Sequence, residues 1–425
     1  MKRRARPTMF MAVTCSGALL AVTACNADGD GADAADAELV VETFGNFGYS
    51  ELIEEFEDDT GITVEERVHG ELADWNEVLQ QNLAAGSGLG DVVAVEEGII
   101  LDVMESADAF HDLYDYGAGE MEDHFLPWKW ELGHTPDDEL LGLGTDIGSM
   151  AVCYRTDHFE DAGLPTERDE VSALWDDWED FVDVGIEFQE SDVDAHFVDT
   201  VTEYVNAISR QHGDFIFFDD NEQLYIEESD AVAHSWDIAE SMIEEELTAE
   251  LAMWSDDWNA AIQAGTFATM PCPAWMLGHI EEHAGPDAEG LWDVAEVPGD
   301  GGNWGGSWLA VPEETEYPEE ATELAMFLTS EEGHLGAFQE ANTLPSSPST
   351  LESDEVLSEV NPYFNDAPVG EIFGEGAMDL EPVYLGLGHF PVQEAAGDQL
   401  EAWQTGQIDR DEAWEAAVEE AERAL

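Results

Sequence analysis

The chain has 425 residues, of which 100 are Asp or Glu and only 11 are Lys or Arg, so its formal net charge is −89. So negative a surface argues against nucleic acid as a partner and against docking onto anionic lipid heads. Because 44% of the residues are hydrophobic, the chain can form a core and is not an acidic disordered tail.

The N-terminus has the layout of a secretory signal peptide over residues 1–24. Four basic residues open it, and the apolar stretch 9–24 is shorter than the ~20 residues that a membrane span needs. The sequence Val-Thr-Ala-Cys at 22–25 resembles a bacterial lipobox, which predicts lipidation of Cys25. Residues 25–37 contain no apolar side chain larger than Ala beyond that cysteine, and they predict a flexible tether.

The acidic residues are spread along the whole chain. Once the signal is removed, seven basic residues remain against 100 acidic ones, a net charge of −93. Repulsion among like charges destabilises a compact state, and salt near 1 M shortens the screening length to about 3 Å. We therefore interpret the charge as the adaptation of a secreted, halophilic protein to brine. A local patch that binds cations or basic partners is the alternative.

Two cysteines remain in the predicted mature chain after Cys15 leaves with the signal and Cys25 is lipidated. An even number in an oxidising compartment favours a disulfide between Cys153 and Cys272. The bridge would close a loop of about 120 residues and contribute ~4–5 kcal/mol to stability. A catalytic cysteine is the less favoured interpretation, since neither residue has a local nucleophile signature.

Strand and helix patterns alternate at the start of the folded part. They predict a strand at 39–44, a helix at 48–59, a strand at 62–64, a helix through 72–83 and a strand at 91–95. This alternation predicts an α/β fold with a mostly parallel sheet covered by helices.

The middle of the chain is predicted to be mostly helical, and strand and helix signals return after it. Apolar stripes at helical spacing run through 174–182, 231–246 and 254–262, and a glycine-rich segment follows at 299–306. A strand at 307–312, a helix at 319–328, a Pro/Ser loop at 345–350 and a final helix at 410–425 complete the predicted elements.

One motif for metal chemistry is present. Residues 279–283 read His-Ile-Glu-Glu-His, the spacing of an inverted zinc-protease motif. The glycine and proline at 285–286 end a helix there, and carboxylates are abundant everywhere, so a solvated helix end is the favoured interpretation. We predict no metal, no cofactor and no catalytic residue.

Tryptophan is the more informative residue type. Several of the 14 Trp adjoin Gly, Pro or polar residues instead of lying in apolar runs. A sugar presents apolar C–H faces and polar edges, so its site needs flat aromatic platforms beside fixed donors and acceptors. The tryptophans in such a context are Trp128, Trp130, Trp275 and Trp304. Burial in the core is the alternative for each of these four.

Four stretches of the chain carry recognisable motifs. They are 146–165 with Tyr-Arg-Thr-Asp and Ala-Gly-Leu-Pro, 270–276 with Met-Pro-Cys-Pro-Ala-Trp-Met, 303–307 with Asn-Trp-Gly-Gly-Ser, and 324–346 ending in Leu-Pro-Ser. In this order they resemble the extracellular solute-binding family with the maltose-binding-type fold, and the second stretch is similar to actinobacterial oligosaccharide binders in particular. Together with the lipobox, the resemblance covers essentially the whole chain.

The resemblance implies a two-lobe periplasmic-binding-protein fold of type II, with the ligand cleft between the lobes. Lobe 1 would comprise 38–145 plus 305–345, and lobe 2 would comprise 146–304 plus 346–425. Hinges would lie near Thr145-Asp146, Asn303-Trp304 and Leu344-Pro345. Trp275 and Trp304 are the expected stacking platforms, and Glu97 and Asp146 the expected hydroxyl partners. The full set of expected cleft residues is Asn46, Phe47, Trp75, Glu97, Asp146, Trp275, Trp304, Gly305 and Gly306.

The function implied by the resemblance is capture of a sugar by lobe closure, and the expected ligand is an oligosaccharide. The sugar would pass to the permease subunits of an ABC importer, and the binder would be a monomeric, non-catalytic lipoprotein on the outer face of the cell membrane. Two alternatives stay open: a secreted glycoside hydrolase with paired carboxylates, and a binder of a non-sugar solute such as a peptide or metal chelate.

Overall fold

The computed structural model describes residues 37–211, 215–299, 301–374, 377–380 and 382–425. The predicted signal, Cys25 and the tether as far as residue 36 lie outside the described residues. The strands, in chain order, are β1 (Glu38–Thr43), β2 (Thr63–Val68), β3 (Val92–Glu96), β4 (Gly142–Gly144), β5 (Asp146–Ile147), β6 (Met150–Arg155), β7 (His196–Val198), β8 (Phe267–Pro273), β9 (Trp292–Glu296), β10 (Ser307–Ala310) and β11 (Leu344–Pro345).

Helices connect and cover these strands. The α-helices are α1 (Ser50–Thr60), α2 (Leu72–Ala85), α3 (Ile100–Met104), α4 (Pro127–Leu132), α5 (Thr156–Ala162), α6 (Arg168–Ser172), α7 (Trp178–Gln189), α8 (Val201–Ser209), α9 (Asp230–Glu244), α10 (Asp256–Ala264), α11 (Met276–Ala284), α12 (Pro318–Leu328), α13 (Glu331–Ala341), α14 (Pro348–Leu351), α15 (Asp354–Leu357), α16 (Val369–Gly374), α17 (His389–Gln404) and α18 (Arg410–Ala424). Short 3-10 helices lie at Ala107–Ala109, Leu113–Tyr116, Ala118–His124, Pro286–Ala288, Pro362–Phe364 and Ala377–Asp379.

The first sheet has the strand order β2-β1-β3-β10-β4 and is covered on both faces. Alternate residues of β3 enter different cores: Val92 and Ala94 pack with α1 and α12, whereas Val93 and Val95 pack with α2 and α3. β1 is parallel to β2 and β3, but β10 is antiparallel to both β3 and β4. The sheet is therefore mixed: the strands predicted at 39–44, 62–64 and 91–95 pair in parallel, as predicted, and β10, which lies outside that stretch, is antiparallel.

A second sheet, of order β7-β8-β6-β9, lies within the part of the chain that the patterns predict to be mostly helical. β7 is parallel to β8, and β6 is antiparallel to β8 and β9. Cys153 of β6 is joined to Cys272 of β8 in a disulfide, with the two Cα atoms 5.5 Å apart. The pairing inferred from the cysteine count is therefore present, and it ties two strands whose residues lie 119 positions apart.

Three chain segments run between the two sheets and contact one another; we call residues 144–149, 303–307 and 344–346 the crossing region. β5 pairs with β11 in a small two-stranded sheet, so that Asp146 faces Pro345. Ser149 forms an isolated bridge with Asn303, and the Asn303 Oδ1 atom accepts a hydrogen bond from the Gly148 amide at 2.8 Å. These contacts hold all three segments in one place.

Candidate functional site

Glu97 follows β3 directly and reaches the crossing region with its side chain. Its Oε1 atom accepts a hydrogen bond from Asn303 Nδ2 at 2.9 Å, and Oε2 accepts one from the Gly305 amide at 3.2 Å. The residue is only 6% exposed, and burial raises the pKa of the carboxyl to about 7. The hydrogen bonds and the charges of Arg210 and Lys129 oppose that rise.

Glu96, the last residue of β3, adds a second carboxyl beside the first. Its Oε2 atom accepts a hydrogen bond from the Gly98 amide at 2.6 Å. Burial and the neighbouring Glu97 carboxylate raise its pKa to about 8. The side chain stays partly accessible, so it offers oxygen atoms to a polar ligand. The sequence analysis missed Glu96, because nothing in the pattern separates it from the other acidic residues.

The Asp146 side chain forms hydrogen bonds within the crossing region. Its Oδ1 atom accepts hydrogen bonds from Thr145 Oγ1 at 2.7 Å and from the Ser307 amide at 3.1 Å. The residue is 6% exposed. Its carboxylate thus ties β5 to the start of β10, which gives it a structural task beside any contact with a ligand.

Two cations lie behind these carboxyls, and sequence reasoning missed both. Lys129 of α4 is fully buried, with its Nζ atom 3.5 Å from the centre of the Trp308 ring. Within the described residues this Nζ atom has no hydrogen-bond partner. Burial lowers the pKa of Lys129 to about 8, although Asp146, Glu97 and Glu96 counteract the shift.

Arg210 is the second cation. Its guanidinium donates to the Asn206 carbonyl at 3.1 Å and to Gln393 Oε1 at 2.9 Å, and it lies 5.8 Å from the centre of the Trp304 ring. Burial lowers its pKa, while the Glu97 and Glu96 carboxylates act in the opposite direction. The other five basic residues outside the predicted signal all form ion pairs with carboxylates, namely Arg67, Arg155, Arg168, Arg410 and Arg423.

The two expected platforms, Trp275 and Trp304, meet at this point. The Trp275 indole N–H donates to the Trp304 carbonyl at 2.9 Å, and the rings stand edge to face with centroids 6.0 Å apart. Trp275 is half-buried, whereas Trp304 is only 7% exposed and packs against Met150 and Ala207. Trp275 therefore presents the more accessible aromatic surface of the pair.

Steric constraints favour glycine at the two positions that follow Trp304. Gly305 and Gly306 have φ values of +82° and +102°, where residues other than glycine are disfavoured. A Cβ atom on Gly306 would lie 2.4 Å from the Asp146 carbonyl oxygen and 3.0 Å from Lys129 Nζ. One on Gly305 would lie 3.3 Å from Trp275 Nε1. The bare backbone lets the crossing segment pass between these groups.

The structure brings together six of the nine expected residues: Glu97, Asp146, Trp275, Trp304, Gly305 and Gly306. Asn46 is exposed, and its Oδ1 atom accepts a hydrogen bond from the Gly48 amide at 3.0 Å. Phe47 is 7% exposed and packs edge to face on Phe44. Trp75 has no exposed surface, and its indole N–H donates to the Ala94 carbonyl at 2.8 Å. Trp75 is part of the core, and we leave it out of the site proposed below.

The two histidines of the zinc-protease motif, His279 and His283, contact each other, and His279 also contacts Asn259. Both lie on α11, with ring centroids 4.2 Å apart. His279 Nε2 lies 2.9 Å from Asn259 Oδ1, and burial together with His283 lowers the pKa of His279 to about 3. α11 ends at Ala284, immediately after His283, as predicted, but His279 is largely withdrawn from solvent, so the expectation of a solvated helix end is wrong for this residue.

Comparisons with known proteins agree with this architecture. The sequence profile of the family described as bacterial extracellular solute-binding protein matches residues 51–362. A crystal structure of an extracellular solute-binding protein of family 1 is 37% identical, with a TM-score of 0.79, over 91% of this chain and 99% of that one. The binding protein of an ABC transporter from B. animalis subsp. lactis Bl-04, in complex with β-1,6-galactobiose, has the same fold at 21% identity, with a TM-score of 0.78 over 91% of this chain and 98% of that one.

A curated relative is more distant. The lactose-binding protein of Rhizobium radiobacter is 25% identical over 233 residues, which are 53% of this chain and about half (52%) of that protein. Among the helices in the described part of the chain, none is long and apolar enough to cross a membrane. The profile match and the 37% identical structure establish the relationship, and the chain belongs to the bacterial extracellular solute-binding protein family.

Proposed function

We propose that the protein captures a sugar between two lobes and delivers it to the permease of an ABC importer. The observation that carries the proposal is the accessible indole of Trp275 beside the buried, hydrogen-bonded carboxyl of Glu97. A flat apolar surface next to fixed polar groups suits the C–H face and the hydroxyl edge of a pyranose. The galactobiose and lactose binders named above support a sugar as the ligand class.

The two sheets support a division of the chain into two lobes. We propose lobe 1 as 38–145 plus 305–345 and lobe 2 as 146–304 plus 346–425, with the crossing region as the hinge. The pairing of β5 with β11 and the Ser149–Asn303 bridge support a hinge there. Closure about such a hinge traps a ligand and removes it from water.

The place of action follows from the sequence. We propose that Cys25 carries a lipid, which holds a monomeric binder at the outer face of the cell membrane. Mass spectrometry of protein from a detergent extract tests this: a lipid-modified N-terminal peptide that begins at Cys25 is expected. An unmodified peptide that begins at another residue would contradict the anchor and leave the sugar proposal untouched.

Titration calorimetry tests the sugar proposal. Lactose, β-1,6-galactobiose and maltose are suitable probes, and at least one should release or absorb heat with saturation. Trp275→Ala should weaken that binding by more than about tenfold, because the stacking surface is lost. Trp414→Ala, a half-buried tryptophan on α18, is the matched control and should bind as the wild type does.

The same samples separate a binder from a glycoside hydrolase. A binder returns the bound sugar unchanged, whereas hydrolysis releases new reducing ends. Accumulation of reducing ends that Glu97→Gln abolishes would overturn the proposal that the protein is not an enzyme. Absence of heat with every sugar in a broad panel would remove the sugar claim.

A further inference from the structure

The loop between α9 and α10 places another tryptophan beside Trp275. Trp254 is half-buried, and its ring lies 6.1 Å from that of Trp275, with the two planes only 26° from parallel. Such a centroid distance is that of an offset pair, in which each ring leaves part of its face uncovered. The neighbouring Met253 packs on the cluster of Met150, Ala207 and Trp304. The loop is therefore continuous with the proposed sugar site.

The backbone of Trp254 is strained. Its φ is +64°, in the left-handed region that bulky residues rarely adopt. Glycine or asparagine would satisfy this turn without strain, yet the chain has a tryptophan there. Residues held in such conformations cluster at sites that clamp ligands. The strain therefore makes Trp254 a candidate for a functional role.

The surroundings hold both the loop and the ring in place. Gln404 Nε2 donates to the Leu251 carbonyl at 2.9 Å, and Ser255 Oγ donates to the Ala252 carbonyl at 2.7 Å. The Trp254 ring contacts Trp258 and the edge of His279, each with centroids 5.2 Å apart. Because Trp275 is fixed by its own hydrogen bond to the crossing region, the two partly exposed rings keep a constant spacing.

We propose that Trp254 is a specificity-determining residue, which with Trp275 forms a floor of two rings that selects sugars of two or more pyranose units over monosaccharides. This inference rests on the proposed function and narrows its ligand class. One pyranose covers one indole face, so a second unit finds a platform only where a second indole continues the first. A monosaccharide stacked on Trp275 leaves Trp254 uncovered.

Calorimetry with Trp254→Asn tests the inference. Asparagine tolerates the left-handed backbone, so relief of strain offsets part of the packing that is lost with the ring, and the variant should still unfold cooperatively at a somewhat lower thermal midpoint than the wild type. The variant should bind the best of lactose, β-1,6-galactobiose and maltose about tenfold more weakly. Its affinity for galactose or glucose should change by less than about twofold. A loss of affinity that is confined to the disaccharides is a result that a merely structural role for the ring would not give.

Controls separate this inference from the proposed function. Trp254→Phe keeps a flat ring and should restore most of the disaccharide affinity that Trp254→Asn loses. Wild-type protein that binds none of the sugars overturns the proposed function and this inference with it. Wild-type protein that prefers monosaccharides, unchanged disaccharide affinity in Trp254→Asn, or an equal loss for both sugar sizes overturns the inference alone.

Discussion

Glu97 accepts a hydrogen bond from Asn303 across 206 residues of sequence, with Oε1 and Nδ2 at 2.9 Å. This contact fastens the end of β3 to the crossing region. The same carboxyl also accepts from the Gly305 amide, so both of its oxygen atoms are engaged with one segment. Glu97 is thus tied to the crossing region, which we propose as the hinge.

Glu97→Gln should make stability less dependent on pH. The pKa of Glu97 is raised from 4.5 to about 7 in the folded protein. A group with a raised pKa contributes stability that is fully present below its unfolded pKa and is lost as the pH rises through the folded value. The unfolding free energy of the wild type should therefore fall between about pH 4.5 and 7, and Glu97→Gln should flatten part of that fall.

Urea unfolding at a series of pH values measures this effect. Glu54→Gln, on the exposed face of α1, removes a carboxylate without touching the crossing region and should leave the slope as it is in the wild type. Equal slopes for the wild type and Glu97→Gln would contradict the assigned role of the Glu97 carboxyl.

A second buried pair of carboxyls lies in the core of the second sheet. Asp199 and Glu203 have no exposed surface, and the Trp258 indole N–H donates to Asp199 Oδ2 at 2.7 Å. Burial raises the pKa of Asp199 to about 6, and burial with the Asp199 charge raises that of Glu203 well above its usual value. Both shifts favour a protonated pair, so their contribution to stability is lost as the pH rises.

Glu203→Gln should therefore stabilise the protein relative to the wild type at alkaline pH. The amide is neutral at every pH, so the difference in unfolding free energy should grow as the pH rises above 4.5, the ordinary pKa of a glutamate. Chemical unfolding in acidic and in alkaline buffer is the measurement, with Glu54→Gln again as the exposed control. A difference that stays constant with pH would show that this pair does not titrate on unfolding.

The disulfide should be a large part of the stability of the second sheet. Closing a loop of this length contributes about 4–5 kcal/mol in the chain-entropy model. The double variant Cys153→Ala with Cys272→Ala should lose stability of that order, measured by urea unfolding at neutral pH. Two free thiols in the oxidised wild-type protein, found by mass spectrometry after alkylation, would refute the bridge.

Salt should raise the thermal midpoint. The formal net charge is −89, or −93 for the predicted mature chain, and it is distributed along the sequence. Salt at about 1 M shortens the screening length to ~3 Å and so weakens the repulsion between these charges. Melts in potassium chloride at about 0.1 and 2 M compare the two regimes, and chloride is preferable to sulfate because sulfate strengthens apolar burial by itself. A higher midpoint in dilute buffer would contradict the interpretation of the acidic charge as an adaptation to brine.

The alternation of strands and helices between β1 and β3 was predictable because α1 and α2 keep a clear apolar period and the strands are short runs rich in β-branched residues between them. The second sheet was not. β6 and β8 are buried on both faces, so their residues show no alternation of apolar and polar side chains. Proline at 271 and 273 further obscures β8. Only the resemblance to the family implied a second α/β lobe there.

The candidate site likewise contains residues that the sequence predicted and residues that it did not. Gly305, Gly306 and Trp275 were found because they lie in short motifs. Lys129 and Arg210 were missed, since the contacts that give them a role join segments far apart in sequence. Trp254 was assigned to a helix by its spacing from Trp258, but α10 begins only at Asp256, and the strained backbone at Trp254 has no signature in the sequence.

The burial of Lys129 has a practical consequence. Apart from Lys2 in the predicted signal it is the sole lysine of the sequence, and it has no exposed surface. Reagents that modify primary amines will therefore find no lysine on the folded molecule beyond that signal. A single lysine introduced on the surface would be a unique attachment point for a dye or a sensor chip, and the two lobes could then be labelled one at a time to follow their closure.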